Sequence, residues 1–243
     1  MNFNLNIKEK HDEGFTLLEL LIVVSIIAIL SVALVLVLNP AEALKKSRDA
    51  QRISDMSTMK TALGLMLTST STPSLDGLFA AAAAASICTT GTTGNVASAA
   101  KIAYSASTAP TVTPGTNAAD VVSGVVYSGT GRASGSNAGD VAGSGWIPAV
   151  LSNLTGGSPI SNYPIDPTNT VSTTAASTDL VYRYACQNAG VSGKPGYVFE
   201  IDAQLESDAY TITENKRAND GGDNTSYYEV GTSLKLLPTV TTF

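Results

Sequence analysis

The chain has 243 residues, of which 44% are hydrophobic, and its formal net charge is −6 at pH 7. A sequence pI near 4.7 excludes a broad basic surface, so direct binding of nucleic acid is not expected. The length allows one ordinary domain together with a further segment.

The first predicted element is an apolar run from Phe15 to Leu38 that contains one charged residue, Glu19. As a helix, this run would extend about 36 Å, which exceeds the roughly 30 Å hydrocarbon core of a bilayer. It therefore predicts a membrane-spanning helix. The alternatives are a buried helix of a soluble protein and a secretory signal peptide cut near Ala43, although the run is longer than a signal peptide requires.

Glu19 needs an explanation, because a charged side chain inside a bilayer costs a few kcal/mol and usually faces a partner. No Lys or Arg lies within the run. Cleavage between Gly14 and Phe15 would create an ammonium group four positions before Glu19, on the same helix face. We expect the pair to form most readily between neighbouring subunits. The alternative is a protonated glutamate near the interface that has no role.

The stretch EGFTLLELL, which leads into the apolar run, resembles the processing site of type IV prepilins and the related pseudopilins. The resemblance implies that residues 1–14 are a leader removed after Gly14 by a prepilin peptidase. Phe15 then becomes the N-methylated first residue, and Glu19 guides the subunit into a filament. The implied fold is α+β and pilin-like, with one long N-terminal helix and a small antiparallel β-sheet head.

The same resemblance implies a structural subunit rather than an enzyme. Its partners would be identical subunits in a filament, the prepilin peptidase, an inner-membrane assembly platform and, before assembly, membrane lipid. The protein would be a single-pass protein of the inner (cytoplasmic) membrane and then part of an extracellular or periplasmic filament. A pseudopilin of a type II secretion or DNA-uptake machine is the near alternative. A monomeric membrane-anchored surface or adhesive domain is an alternative of another class.

Residues 15–38 are followed by a predicted amphipathic half-helix at residues 39–68, after Asn39-Pro40, which should interrupt or bend the helix. Its apolar residues recur three or four positions apart and should pack on the head. Its basic residues are interpreted as a contact to lipid headgroups or neighbouring subunits, or as a solvated helix face. The apolar stripe is Leu44, Ile53, Met56, Met59, Leu63 and Met66, and the basic cluster is Lys45, Lys46, Arg48 and Arg52.

Residues 69–145 are rich in Ser, Thr, Gly and Ala, include the alanine run at residues 80–85, and predict an exposed, variable region. Residues 146–243 predict an antiparallel β head with an acidic C-terminal loop. Within it, LVYRYACQ and GYVFEIDAQL are predicted to pair, while SYYEVG and SLKLLP are candidates for further strands.

Catalytic chemistry is not expected, because the single histidine, His11, lies in the predicted leader. Without it the mature chain has no Ser-His-Asp triad, Cys-His pair or histidine metal site. The stretch GVSGKPG also lacks the spacing of a phosphate-binding P-loop.

The two cysteines, Cys88 and Cys186, favour a disulfide in a head outside the cytoplasm, and the alternative is two separate buried thiols. The loop NDGGDNTS carries Asp220 and Asp223 on a glycine-rich turn. Oxygen ligands of this kind suit Ca²⁺, and some pseudopilins bind calcium in a comparable C-terminal loop. The alternative is a solvated Asx/Gly turn. Calcium is the one cofactor that the sequence indicates.

Overall fold

A computed structural model describes the chain in segments. The predicted leader residues 1–13 with His11, the alanine run at 80–85 and about half of the predicted variable region lie outside the described residues. The structure forms two compact units, Met1–Ala43 and Leu44–Phe243. The described residues are 14–70, 73–77, 87–88, 102–106, 108, 110–116, 126–130, 132–133, 137–188 and 196–237.

The first unit contains helix α1, Leu17–Leu38, which is 22 residues long and has no buried residue. Its surface is apolar on all sides, so it has no polar face to turn toward water. The hydroxyl groups of Ser25 and Ser31 donate to the carbonyls of Leu21 and Ile27 at 2.6 and 2.7 Å, which satisfies both within the helix. Among the described residues, this helical run alone has the length and composition to cross a membrane.

Asn39 separates α1 from helix α2, Pro40–Ser69, and takes a left-handed conformation at φ 38° and ψ 69°. Asparagine tolerates this region better than most residues do. Pro40 then occupies the first helical position, where a backbone N–H would have no acceptor within the helix, so the absence of this group in proline costs no helical hydrogen bond. The carbonyl of Asn39 accepts hydrogen bonds from the backbone of Glu42 and Ala43 at 3.0 and 3.3 Å.

In the second unit, α2 buries one side against the head. The predicted stripe is buried in its C-terminal part, at Met56, Met59, Leu63 and Met66. At its start the prediction was wrong, because Leu44 is 62% exposed. Here α2 instead buries two ionic residues, Asp49 and Arg52.

The head is built on a sheet with the strand order β4-β1-β5-β6-β7. The pairs β1–β5, β5–β6 and β6–β7 are antiparallel, and the short strand β4 adds a parallel pair beside β1. With α2 on the sheet the fold is α+β and pilin-like. The strands are β1 Ala103–Tyr104, β2 Thr111–Thr116, β3 Val126–Thr130, β4 Arg132–Ala133, β5 Tyr182–Gln187, β6 Val198–Ala203 and β7 Tyr228–Gly231, with β2 and β3 forming a separate antiparallel pair.

Both faces of the sheet are covered. The face toward α2 joins the main core, which includes Trp146, Tyr182, Tyr184, Phe199 and Ile201. The opposite face carries a smaller apolar cluster that includes Val181, Ala185, Val198, Leu236 and Leu237. The prediction of a strand in SLKLLP was therefore wrong. That segment lies over the sheet, and its backbone N–H groups at Leu236 and Leu237 bond to a side chain, the Glu200 carboxylate, at 2.6 and 2.8 Å.

A disulfide joins Cys88 to Cys186 on β5 and closes a sequence separation of 98 residues. Nearby contacts attach the segment after α2 to the same strand. The hydroxyl of Tyr184 donates to the Leu75 carbonyl at 2.8 Å, and the Leu75 N–H donates to the side chain of Asn188 at 2.9 Å. Parts of the predicted variable region are thus fixed to the end of the sheet.

Candidate functional site

The N-terminal segment of α1 is organised by a reciprocal capping interaction. The Glu19 N–H donates to Thr16 Oγ1 at 3.2 Å, and the Thr16 N–H donates to Glu19 Oε2 at 3.3 Å. This is a capping box, in which two helix-terminal N–H groups that lack a helical partner are both satisfied. Phe15, immediately before Thr16, is 86% exposed. Glu19 is thereby fixed in the first turn, close along the chain to the predicted cleavage site.

Sequence reasoning found Glu19 but missed Thr16, although the spacing Thr-x-x-Glu is the sequence pattern of a capping box. The two box residues lie after the Gly14–Phe15 bond, so cleavage of that bond would leave the capping box intact. Among the described residues the two side-chain hydrogen bonds to Glu19 both go to Oε2. The other carboxylate oxygen, Oε1, accepts no hydrogen bond from a described residue.

A second charged site lies where α2 meets the head, around Arg52, which is 0% exposed. Its guanidinium donates twice to Asp166, at 2.6 and 3.0 Å. It also donates to Asp49 at 2.8 Å and to Glu206 at 2.7 Å. A buried cation is tolerated when it is paired and hydrogen-bonded in this way. Arg52 therefore joins α2 to two distant segments of the head.

The acids of this network are satisfied as well. The Asp49 carboxylate accepts backbone hydrogen bonds from Glu206 at 3.0 Å and Ser207 at 2.7 Å. Arg48 pairs with Glu206 at 2.9 Å. Burial opposes ionisation of Glu206, but hydrogen bonds from Arg48 and Arg52 outweigh that effect and lower its pKa.

The interpretation of Lys45, Lys46, Arg48 and Arg52 as one outward-facing basic cluster was therefore wrong for Arg48 and Arg52, and it stays a prediction for Lys45 and Lys46. Arg52 is buried in the head and Arg48 is held by Glu206, whereas Lys46 is exposed. The partners Asp166 and Glu206 lie 114 and 154 residues away from Arg52, and no local pattern links them to it.

A third group of charges lies on the face of the sheet opposite α2. Glu200 and Asp202 on β6, and Glu229 on β7, are buried. The alternation of FEIDA would place the acids in water if that face were open. Asp202 is paired with Arg183, whose Nε lies 2.7 Å from Asp202 Oδ1. Among the described residues Glu200 and Glu229 pair with no such cation, and their carboxyl groups lie close enough to share a proton.

A hydrogen bond between two carboxyl groups needs a proton on one of them, which burial favours. Burial and the hydrogen bond with Glu229 raise the pKa of Glu200 well above 4.5. Burial also raises the pKa of Glu229 to about 7. Oε1 of each residue is buried and accepts no hydrogen bond from an N–H or hydroxyl donor in the described part of the chain. The pair can therefore hold a proton or another cation.

The predicted calcium loop lies beside Glu229. Asp220 accepts hydrogen bonds from the N–H groups of Gly222 at 2.9 Å and Glu229 at 2.7 Å. Glu229 Oε2 in turn accepts from the N–H of Asn224 at 3.1 Å. Burial raises the pKa of Asp220. Within the described ranges, no three His, Cys, Asp or Glu side chains converge as a metal site would require, so any ion here would also need backbone or water oxygens.

The comparisons with known proteins bear on the N-terminal segment. The family model described as the prokaryotic N-terminal methylation motif matches residues 10–35. No curated protein and no solved structure matches the chain. The matched residues contain the predicted cleavage site, the capping box and most of α1. The chain thus carries the signature of type IV pilins and pseudopilins, and with it the features of a membrane-anchored prepilin-like precursor.

Proposed function

We propose that the protein is a structural subunit of a type IV pilus-like filament, which it enters through α1 after a prepilin peptidase cuts between Gly14 and Phe15. The observation that carries the proposal is the surface of α1, which is apolar on all sides and has no buried residue. Such a helix needs apolar surroundings. The bilayer supplies them before assembly, and the helices of other subunits supply them in the filament.

The capping box supports a docking role for Glu19. Its carboxylate is oriented by Thr16, while Oε1 is left for an external donor. The new ammonium of Phe15 on a neighbouring subunit is a suitable donor, because an apolar environment strengthens the attraction between opposite charges. The pair would neutralise the one acid of α1 as the helix leaves the membrane.

The remaining parts of the proposal concern the head. It would form the outer surface of the filament, which would be extracellular or periplasmic. Before assembly the subunit would be held in the inner membrane, where an assembly platform would take it up. The disulfide between Cys88 and Cys186 supports a head outside the cytoplasm.

The experiment is N-terminal mass spectrometry of the native protein combined with electron microscopy of sheared surface material. We expect a first residue of methylated Phe15 and filaments that contain the protein. The Glu19→Ala variant should be cleaved but should give few filaments, whereas Glu42→Ala, which removes an acid from the first turn of α2, should assemble normally.

Other results would overturn these statements. A native chain that begins at Met1 or Leu44, together with discrete monomers, would mean a tethered surface domain and not a filament subunit. Normal filament yield from Glu19→Ala would remove the docking role of Glu19 and leave the subunit role standing.

One observation favours the pseudopilin alternative, namely the acidic C-terminal loop. We propose that Asp220 and Asp223 contribute to a Ca²⁺ site, completed by backbone or water oxygens. The loop suits a cation because the neighbouring Glu229 is 2% exposed, and its Oε1 accepts no hydrogen bond from a described donor. A bound Ca²⁺ would supply the positive charge that the Glu200–Glu229 pair otherwise takes from a proton.

Thermal unfolding in chelator, in excess Ca²⁺ and in excess Mg²⁺ tests the calcium site. We expect Ca²⁺ to raise the melting temperature more than Mg²⁺ does, because the loop supplies several oxygens without an octahedral cage. Asp223→Asn should remove the increase, and Asp208→Asn, an exposed acid outside the loop, should keep it. An unchanged melting temperature on adding Ca²⁺ to the native protein would exclude the site.

A further inference from the structure

An aromatic side chain on the head lies between two lysines from different segments. Lys46 Nζ on α2 lies 5.6 Å from the centre of the Tyr210 ring, and Lys216 Nζ lies 5.0 Å from it. Tyr210 belongs to a short π-helical turn, Ala209–Thr213, none of whose residues is buried. Arg48 and Arg52 are paired within the head, which leaves Lys45 and Lys46 of the predicted basic cluster. Folding brings a third lysine, Lys216, to the same tyrosine ring as Lys46.

Two apolar side chains accompany these residues. Ile212, on the same turn, is 72% exposed, and Leu44, two residues before Lys46, is 62% exposed. Ile212 is the most exposed large apolar residue among the described residues of the head. We call Leu44, Lys46, Tyr210, Ile212 and Lys216 the Tyr210 patch. A combination of aromatic, basic and aliphatic side chains is typical of surfaces at a membrane–water interface.

Lysines are concentrated at the patch. Glu214 pairs with Lys216 at 2.8 Å, Asp208 immediately precedes the π-helical turn, and Glu42 lies one helical turn before Lys46. Lys45 directly precedes Lys46, so three of the five lysines among the described residues lie in or beside the patch of a protein whose net charge is −6. Such a concentration of lysines on an acidic protein favours one kind of partner, an anionic surface.

The sequence also limits how far Lys46 can lie from the membrane. Lys46 follows Leu38, the last residue of α1, by eight positions. Eight residues reach at most about 28 Å even when fully extended.

We propose that the Tyr210 patch docks the head on the anionic surface of the bilayer while the subunit is still membrane-anchored. The inference rests on the proposed function, since it requires α1 to be in a membrane. The lysines would contact lipid phosphates, and Tyr210 and Ile212 would enter the headgroup region. Docking would hold the subunit against the membrane until it is taken up for assembly.

The single tryptophan, Trp146, is a native probe for this proposal because it is buried in the core of the head. The full chain is reconstituted into vesicles that carry a dansyl headgroup label, and energy transfer from Trp146 to dansyl is measured. Transfer should be higher in vesicles of phosphatidylglycerol and phosphatidylcholine than in phosphatidylcholine alone. It should fall on addition of salt, because exposed charges are screened.

Variants assign the effect to the patch. In Lys46→Gln/Lys216→Gln and in Ile212→Ser, transfer should fall to the value measured in phosphatidylcholine. Lys60→Gln removes another exposed lysine of α2, and Ile165→Ser removes another exposed isoleucine of the head. Both controls should retain the transfer of the native protein.

Flotation of the vesicles shows whether the protein is anchored in the membrane, whereas energy transfer shows whether the head lies on it. The two measurements therefore distinguish a failure of the docking proposal from a failure of the proposed function. Protein that floats with the vesicles but gives equal transfer with both lipids overturns the docking proposal alone. So does a loss in Lys60→Gln equal to that in the double variant. If the patch variants lose filaments and not transfer, the patch binds a neighbouring subunit and the lipid proposal is wrong. Protein that does not float overturns both.

Discussion

Helices α1 and α2 are neighbours in the chain, separated by Asn39, yet they satisfy their apolar side chains in different ways. None of the 22 residues of α1 is buried. The 30 residues of α2 bury seven, on the side that meets the sheet. Helix α2 and the head thus form a unit with its own core, whereas the described residues supply no apolar surroundings for α1. Changes in either unit should therefore have separable effects.

The largest effect is expected from removal of the disulfide. In Cys88→Ala/Cys186→Ala, the free energy of unfolding of the head should fall by about 4–5 kcal/mol, since the lost link closes a loop of roughly a hundred residues. Denaturant unfolding followed by the fluorescence of Trp146 measures it. Reduced native protein should behave like the variant, and flotation with vesicles, which reports α1, should not change. Alkylation of both thiols in native, non-reduced protein would contradict the prediction.

Arg52→Met should lower the free energy of unfolding of the head by about 3–5 kcal/mol, because Asp49 and Asp166 would remain buried without their cation. Lys60→Met, at an exposed position of the same helix, should change it by less than about 0.5 kcal/mol. The loss should shrink below pH 4.5, because Glu206 has a lowered pKa and its stabilising charge is lost as the pH falls. A loss for Arg52→Met no larger than for Lys60→Met would show that the network does not stabilise the head.

For the pair Glu200–Glu229, we expect the free energy of unfolding to depend on pH with a sign opposite to that expected for Glu206. Both pKa values are raised, so in chelator the native head binds more protons than the unfolded chain above pH 4.5. The stabilising contribution of this pair should therefore be complete below pH 4.5 and should be lost progressively as the pH rises through about 7.

Glu200→Gln tests that dependence, because its amide can donate to Glu229 permanently and still accept from the N–H groups of Leu236 and Leu237. The variant should show a flatter profile of melting temperature against pH. Asp208→Asn, at an exposed position, should keep the slope of the native protein. Equal slopes in Glu200→Gln and the native chain would mean that other groups cause the dependence.

The smallest effect is expected in α1. Thr16→Ala removes the hydroxyl that accepts from the Glu19 N–H and should destabilise the first turn by about 1 kcal/mol. Hydrogen exchange in detergent micelles should become faster at the first amides of α1, while the melting temperature of the head stays constant. Thr61→Ala, at an exposed site in α2, should leave the exchange of α1 unchanged. Equal protection of those amides in Thr16→Ala and native protein would contradict a stabilising capping box.

Much of the fold could be predicted because it depends on local patterns. The apolar run from residue 15 to 38, the amphipathic part of α2 and the strands β5, β6 and β7 all have a period or composition that identifies them. The N-terminal methylation motif at residues 10–35 was equally readable, whereas cleavage after Gly14 and the assembly role of Glu19 stay predictions. The Arg52 network could not be predicted, because an ion pair between residues far apart in sequence produces no periodic pattern.

The burial of Glu200 and Asp202 was also beyond local reasoning. Alternation says that two neighbouring side chains lie on opposite faces of a strand, but it does not say whether a face is covered. Here the segment with Leu236 and Leu237 covers it. That segment was predicted to be a strand, and it is instead held by the carboxylate of Glu200.

The sequence by itself determined that the N-terminal helix needs apolar surroundings and carries a processing signal, because hydrophobicity and a short motif act through consecutive residues. Tertiary structure alone decided which charges are available. Folding buries Arg52 among acids, leaves Glu200 and Glu229 to share a proton or a cation, and places Lys216 with Lys46 on the Tyr210 ring. The physical reason is that a charge is tuned by burial and by its partners in space, which the order of residues does not specify.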